Sequence, residues 1–345
     1  MHASLVVRTL TSIVLCVLLG TSAAAHPGSG IVVDKEGQVF FTDTGQGVWK
    51  IDSQGKLTYL PASRFHWMTI DEAGYFAESE KNFGEWFERV TPQSSKPTLI
   101  MSSDFPLTIS RDGNIYYADA RSSSARIVRR TPDGKESVLA ADEAFKGIAG
   151  IAAGPDGSLY VTVASSAAVN EIRKITMDGK VSQFASPEII GTGRDRSINP
   201  PPESDPSYCR GLAVDSGGIV YLAATGSRRV LKITPAGGVS TILQSSDPWS
   251  PTGVAVFSGE VYVLEWQDAP ASLLETRRAW IPRVRKVGRD GKITTLATVS
   301  RETSAPASPE VKQDNTKNLS TGVKIAIAGV VLLVVATILG LKFAK

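Results

Sequence analysis

Between residues 28 and 298 one pattern recurs six times, and this repetition constrains the fold more than any single motif. Gly30 to Asp34, a Glu36-Gly37 turn and Val39 to Asp43 form the first copy. Leu107 to Ser110 with Asp112-Gly113 and Ile115 to Asp119 repeat it, as do Gly150 to Ala153 with Asp156-Gly157 and Leu159 to Val161. Gly211 to Asp215 with Gly217-Gly218 and Val220 to Leu222 follow, then Gly253 to Val256 with Ser258-Gly259 and Val261 to Val263. A degenerate copy runs from Met68 to Asp71 through Gly74 to Tyr75-Phe76.

Each copy has a second half of the same kind. Val48 to Ile51 leads through Gln54-Gly55 to Leu57–Leu60, and Ile127 to Arg130 leads through Asp133-Gly134 to Ser137–Leu139. Ile172 to Ile175 with Asp178-Gly179, Val230 to Ile233 with Gly237-Gly238 and Val284 to Val287 with Asp290-Gly291 continue the series. Trp86 to Val90 with Lys96 is again degenerate. Short apolar or alternating runs joined by Asp-Gly or Gly-Gly predict hairpins, because such turns need a positive φ that glycine and aspartate tolerate.

The first-turn glycines stand at 37, 74, 113, 157, 218 and 259, so successive units are spaced by 37, 39, 44, 61 and 41 residues. Four short strands in roughly 40–45 residues describe a β-propeller blade. The predicted fold is therefore all-β, a six-bladed β-propeller over residues 26–300. A β-sandwich would not explain a repeated four-strand unit.

The repeats resemble the NHL family, most closely in GLAVDSGGIVYLAATGSRRVLKITPAGGVSTIL at residues 211–243. The resemblance covers the propeller and not the ends, and it implies fold rather than activity. A more distant similarity is to the SMP-30/gluconolactonase-like propellers, which implies a divalent metal held by Glu near the first inner strand and by Asn and Asp from later blades. Here Ser29 precedes the first inner strand, and Thr252 in PTGVAV (251–256) stands where that pattern has Asn. Asn82 and Asn170 lie outside the motif, so those ligands do not transfer. Lyase-type propellers use histidines, and beyond residue 25 the chain has only His26 and His66, too few for a His-rich zinc site.

Both ends read as membrane-directed. Residues 1–25 carry Arg8, an apolar run from Leu10 to Leu19 and small residues at Ala23 and Ala25, the pattern of a secretory signal peptide cleaved before His26. Residues 301–322, with Pro306 and Pro309, read as a flexible tether, 323–342 as a transmembrane helix and 343–345 as a short cytoplasmic tail. Ile325 to Leu341 holds no charge, and Lys342 and Lys345 follow it. The expectation is a single-pass membrane protein whose globular part is periplasmic or extracellular.

Composition narrows the partners. Residues 26–300 contain 30 Lys and Arg against 31 Asp and Glu, and such a balance argues against nucleic-acid binding. With Cys16 inside the leader, Cys209 is the one cysteine of the processed chain, so an intrachain disulfide is not expected.

Antiparallel order within a blade puts the tight glycine turns on one face. The opposite face collects the longer connections, including 186–209 and 267–281, and function is expected there. Phe65, His66, Trp67, Phe83, Phe105, Tyr208, Trp249, Trp266 and Trp280 lie in or beside those connections. The same face holds Glu78, Glu80, Asp104, Asp119, Arg121, Glu171, Arg210, Arg228 and Glu265. From these, the candidate ligand-binding set is His66, Trp67, Glu78, Asp119, Arg210, Trp249, Glu265 and Trp266. Aromatic walls with a few polar groups suit ligand binding. Arg210 suits an anionic group, while Glu78 and Glu265 suit a metal or an acid–base pair. The primary expectation is a binding module without a cofactor, taking an unknown protein, peptide or small ligand. The alternative is a hydrolase or lyase using a divalent metal at a non-standard site.

Overall fold

The computed structural model describes residues 27–44, 46–63, 65–77, 87–90, 97–103, 105–119, 125–164, 170–186, 190, 209–267 and 281–300. The predicted signal peptide, tether, transmembrane helix and cytoplasmic tail lie outside them, as do Glu78 and most of both long connections. No helix among the described residues is long and apolar enough to cross a membrane.

Six small sheets succeed one another along the chain. Blade 1 holds β1 (Ile31–Val33), β2 (Val39–Asp43), β3 (Gly47–Ile51) and β4 (Leu57–Leu60); blade 2 holds β5 (Trp67–Asp71), β6 (Phe87–Val90) and β7 (Thr98–Ser102). Blade 3 consists of β8 (Leu107–Ile109), β9 (Ile115–Asp119), β10 (Arg126–Arg130) and β11 (Glu136–Ala141). In blade 4 these are β12 (Ile148–Ala153), β13 (Leu159–Ala164), β14 (Asn170–Ile175) and β15 (Val181–Ala185). Blade 5 has β16 (Leu212–Val214), β17 (Val220–Ala224), β18 (Arg229–Ile233) and β19 (Val239–Gln244). Blade 6 has β20 (Trp249–Phe257), β21 (Glu260–Gln267), β22 (Ile281–Val287) and β23 (Ile293–Thr298). Five blades are antiparallel meanders in chain order. Their innermost strands meet in the sequence β1, β5, β8, β12, β16 and β20, and β20 returns to β1, which closes the ring. The chain is a six-bladed β-propeller.

The glycine turns form as the repeats require. In blade 1, Asp34 Oδ1 accepts the amides of Glu36 (3.0 Å) and Gln38 (2.7 Å), while Gly37 turns the chain at φ +78°. Asp215 does the same in blade 5, accepting from Gly217 and Ile219 at 2.9 Å. A carboxylate that satisfies two turn amides, followed by a residue at positive φ, is what the Asp-x-x-Gly spacing encodes.

Blade 2 departs from the expected order. Its sheet runs β5-β7-β6, with Met68 opposite Met101 and Glu88 opposite Met101 on the other side. The run predicted as its second strand, at Tyr75-Phe76, is a turn instead. Asp71 gathers that turn, accepting from Gly74, Tyr75 and Phe76 at 3.0, 3.1 and 2.7 Å. The physical reason lies in Thr98–Ser102, five fully buried residues that fill the two-sided interior position beside the innermost strand.

Alternation explains the core. Phe40 and Val48 face blade 2 and cluster with Met68, Leu99 and Met101. Their neighbours Phe41 and Trp49 face the other way, joining Tyr262, Leu264 and Trp266 of blade 6. Six such clusters fill the six interfaces between blades. A second strand buried on both faces therefore reads as a continuous apolar run, as Val39-Phe-Phe does.

Candidate functional site

The axis is narrow because small residues line it. Seven positions before each first-turn glycine stand Gly30, Trp67, Pro106, Gly150 and Gly211. In blade 6 the turn shortens to Ser258-Gly259 (φ +51° and +74°), so Gly253 takes that place six positions before. A methyl group on Gly150 would lie 2.2 Å from the Arg210 carbonyl oxygen, and one on Gly211 would lie 2.7 Å from Gly253 Cα. The glycines thus let adjacent blades meet backbone to backbone. What remains at the axis is a cavity of about 50 Å³ bounded by Gly30, Trp67, Pro106, Gly150, Gly211 and Val254, one residue from each blade. That volume suits a very small number of water molecules.

Trp67 is the exception to small size, and its indole Nε1 donates to the Ala149 carbonyl (3.4 Å), reaching from blade 2 past blade 3 to blade 4. His66, half-buried beside it, packs edge-on against the indole with centroids 5.5 Å apart. Its Nδ1 lies 2.8 Å from the Ser103 carbonyl oxygen, which places the proton on Nδ1. Arg210, buried at the loop-side end of β16, donates to the Pro27 carbonyl of blade 1. Burial lowers its pKa to about 10, so it remains charged at neutral pH.

Other candidates belong to pairs within the blades. Asp119 ends β9 opposite Arg126 on β10, which donates to it through Nε (3.3 Å) and a terminal nitrogen (3.1 Å). Glu265, fully buried on β21, lies opposite Arg283 on β22, with Nε 2.6 Å from Oε2. Arg285 stands 3.5 Å from Glu265 Oε1, and the Ser245 hydroxyl donates to the same oxygen. In blade 1 the corresponding acid is Asp43, to which Trp49 Nε1 donates (3.2 Å). The recurring device is an acid at the end of the second strand held by a donor on the third. Part of its signal was in the sequence, since Trp49 follows Asp43 by 6 residues and Arg126 follows Asp119 by 7 at the same point of the repeat, whereas Arg283 follows Glu265 only after 18.

The remaining positions divide in the same way. Glu171 accepts from Arg173 (2.7 Å) and Gln183 (3.0 Å), and Arg173 also reaches Asp142 (2.9 Å). Arg228 pairs with Asp247. Trp266 has no exposed surface; its Nε1 donates to the Gly28 carbonyl (3.1 Å), so it seals the seam between blades 6 and 1 rather than facing a ligand. Trp249 stays half-buried, with the Arg283 guanidinium 4.0 Å from its ring centre. Trp67 thus lines the axial cavity, and His66 and Arg210 stand one residue before its lining residues Trp67 and Gly211, whereas Asp119, Glu265 and Trp266 are engaged within or between blades.

The metal set implied by the lactonase-like resemblance does not fit these residues. Thr252 Oγ1 donates to the Gly28 carbonyl (2.7 Å), and Glu265 is engaged by two arginines and a serine. Among the described residues no three His, Cys, Asp or Glu side chains gather closely enough to hold an ion.

No family model and no curated protein matches the chain. Solved structures resemble it in fold. Virginiamycin B lyase from Staphylococcus aureus is 15% identical with a TM-score of 0.43, covering 80% of this chain and 85% of the lyase. A luciferin-regenerating enzyme is 18% identical with a TM-score of 0.48, over 71% of this chain and 86% of its own. A gluconolactonase from Xanthomonas campestris is 16% identical with a TM-score of 0.35, over 68% and 67%. At these identities the likeness concerns fold alone, and no residue role passes from these proteins to this one.

Proposed function

We propose that the chain is a membrane-tethered binding module, whose propeller holds a protein, peptide or small ligand on its loop-rich face outside the cytoplasm. The observation that carries this reading is the state of the axis. Among the described residues the axial cavity is about 50 Å³ with Trp67 in its wall, room for a few water molecules rather than a substrate, so this reading places recognition on the surface around its mouth. The half-buried His66–Trp67 pair and Trp249 supply aromatic surface on that face, and the buried Arg210 places a positive charge beneath it. The signal peptide (1–25), tether (301–322) and transmembrane helix (323–342) would hold the propeller outside the cytoplasm, and the near balance of charge over residues 26–300 argues against a nucleic-acid ligand.

The test is elemental analysis of the purified protein after dialysis, followed by crosslinking capture in intact cells. Capture of a defined partner by wild type and its loss in Trp67→Ala would support the reading. One retained equivalent of calcium, magnesium, manganese or zinc would replace it with the metal-dependent hydrolase or lyase. Recovery of the protein in the soluble cytoplasmic fraction would refute the membrane assignment.

A further inference from the structure

Five of the six interfaces between blades are bridged by the chain itself; the seam between blades 6 and 1 is not. Among the described residues no strand crosses from one blade into another, and none gives this seam a shared sheet. What crosses it is a short segment ahead of β1. The Gly28 carbonyl accepts from Thr252 Oγ1 (2.7 Å) and Trp266 Nε1 (3.1 Å), both buried on blade 6. The Pro27 carbonyl accepts from Arg210 of blade 5. The amides of Ser29 and Gly30 both donate to the His66 carbonyl of blade 2, at 2.8 and 2.9 Å. Four consecutive residues are therefore bonded to blades 2, 5 and 6, and Gly253 approaches so closely that a methyl there would sit 2.4 Å from the Ser29 carbonyl oxygen.

We infer that Pro27–Gly30 is a latch that closes the ring, and that its release opens the seam between blades 6 and 1 before any other part of the propeller. The aromatic cluster of Phe41, Trp49, Tyr262 and Trp266 supplies the seam with apolar burial, but such burial is non-directional. The three buried donors aimed at two successive carbonyls set its register. During synthesis the seam can close only once blade 6 has been made, since Thr252 and Trp266 follow the latch by more than 220 residues. An opened seam would free the wall of the axial cavity at Gly30 and Val254, so the latch also governs access to that cavity.

Hydrogen exchange on the full-length protein in detergent tests this. Thr252→Val with Trp266→Phe removes both donors to Gly28 while retaining most of the volume. Two lost hydrogen bonds predict exchange about tenfold faster in β1 and β20, with blades 3 and 4 unchanged. Tyr116→Phe is the control, because the Tyr116 hydroxyl donates to Met177 Sδ (3.4 Å) at the chain-bridged interface of blades 3 and 4, away from every latch residue. Unchanged protection in β1, or a control that loosens β1 equally, overturns the proposal. If the double variant does not fold, wild type in low urea decides the matter. Exchange in β1 and β20 should rise before that of the other innermost strands, and uniform opening of all six blades overturns the latch.

Discussion

Arg283 Nε lies 2.6 Å from Glu265 Oε2, and this bond joins two neighbouring strands of blade 6 around a carboxylate with no exposed surface. The guanidinium then lies against Trp249, so one side chain both neutralises a buried acid and supports an aromatic ring on the loop-rich face. Arg283→Met should cost about 3 kcal/mol, the low end for breaking a buried pair, because Arg285 and Ser245 still serve Glu265. Urea unfolding measures it. Glu265→Gln combined with Arg283→Met should cost less than the two single changes added together, since the unpaired charge is gone.

Trp67 is a large residue at a position that is glycine or proline in the other blades. Trp67→Ala should enlarge the axial cavity and cost about 2–4 kcal/mol, whereas Trp67→Phe keeps most of the ring and should cost about 1 kcal/mol for the lost bond to Ala149. Thermal unfolding of both variants checks this. Equal losses would mean that the indole N–H, not its volume, matters there.

Two glycines should fail for different reasons. Gly253→Ala places a methyl 2.4 Å from the Ser29 carbonyl oxygen, where backbone meets backbone. The blades must separate, and a loss of at least about 3 kcal/mol is expected. Gly237→Ala meets nothing within 4 Å but sits at φ +83°, so about 1–2 kcal/mol of backbone strain is expected. The difference in urea midpoints between the two variants checks the contrast.

Burial pushes the Cys209 thiol up to about 12, while an unfolded thiol titrates near ~8.5. Above that lower value the unfolded chain has lost a proton that the folded chain keeps. Stability should therefore fall as pH rises, by about 1.4 kcal/mol per unit for this group. Unfolding at pH 8.5 to 10 measures the slope, and Cys209→Ala should flatten it. Native protein should also resist alkylation at pH 8 until it is unfolded.

Much of the fold is legible because its signals are local. The turn at Gly37 needs only Asp34 and the next four residues, and the alternation of Phe40 and Phe41 needs only the two-residue period of a strand. Blade 2 was not legible in this way. Whether Tyr75-Phe76 or Thr98–Ser102 takes the place beside β5 depends on which run best fills a slot buried on both sides, and no local pattern states that.

The sequence by itself determined the number of blades, the turn positions and the presence of polar and aromatic residues on one face. Only the tertiary structure decided what those residues do. Glu265 and Trp266 are neighbours in sequence, yet one points into a knot of arginines and the other into the seam toward Gly28. A side chain's role depends on which donors and acceptors surround it. At a propeller's seam those partners come from opposite ends of the chain, as Gly28 and Trp266 do.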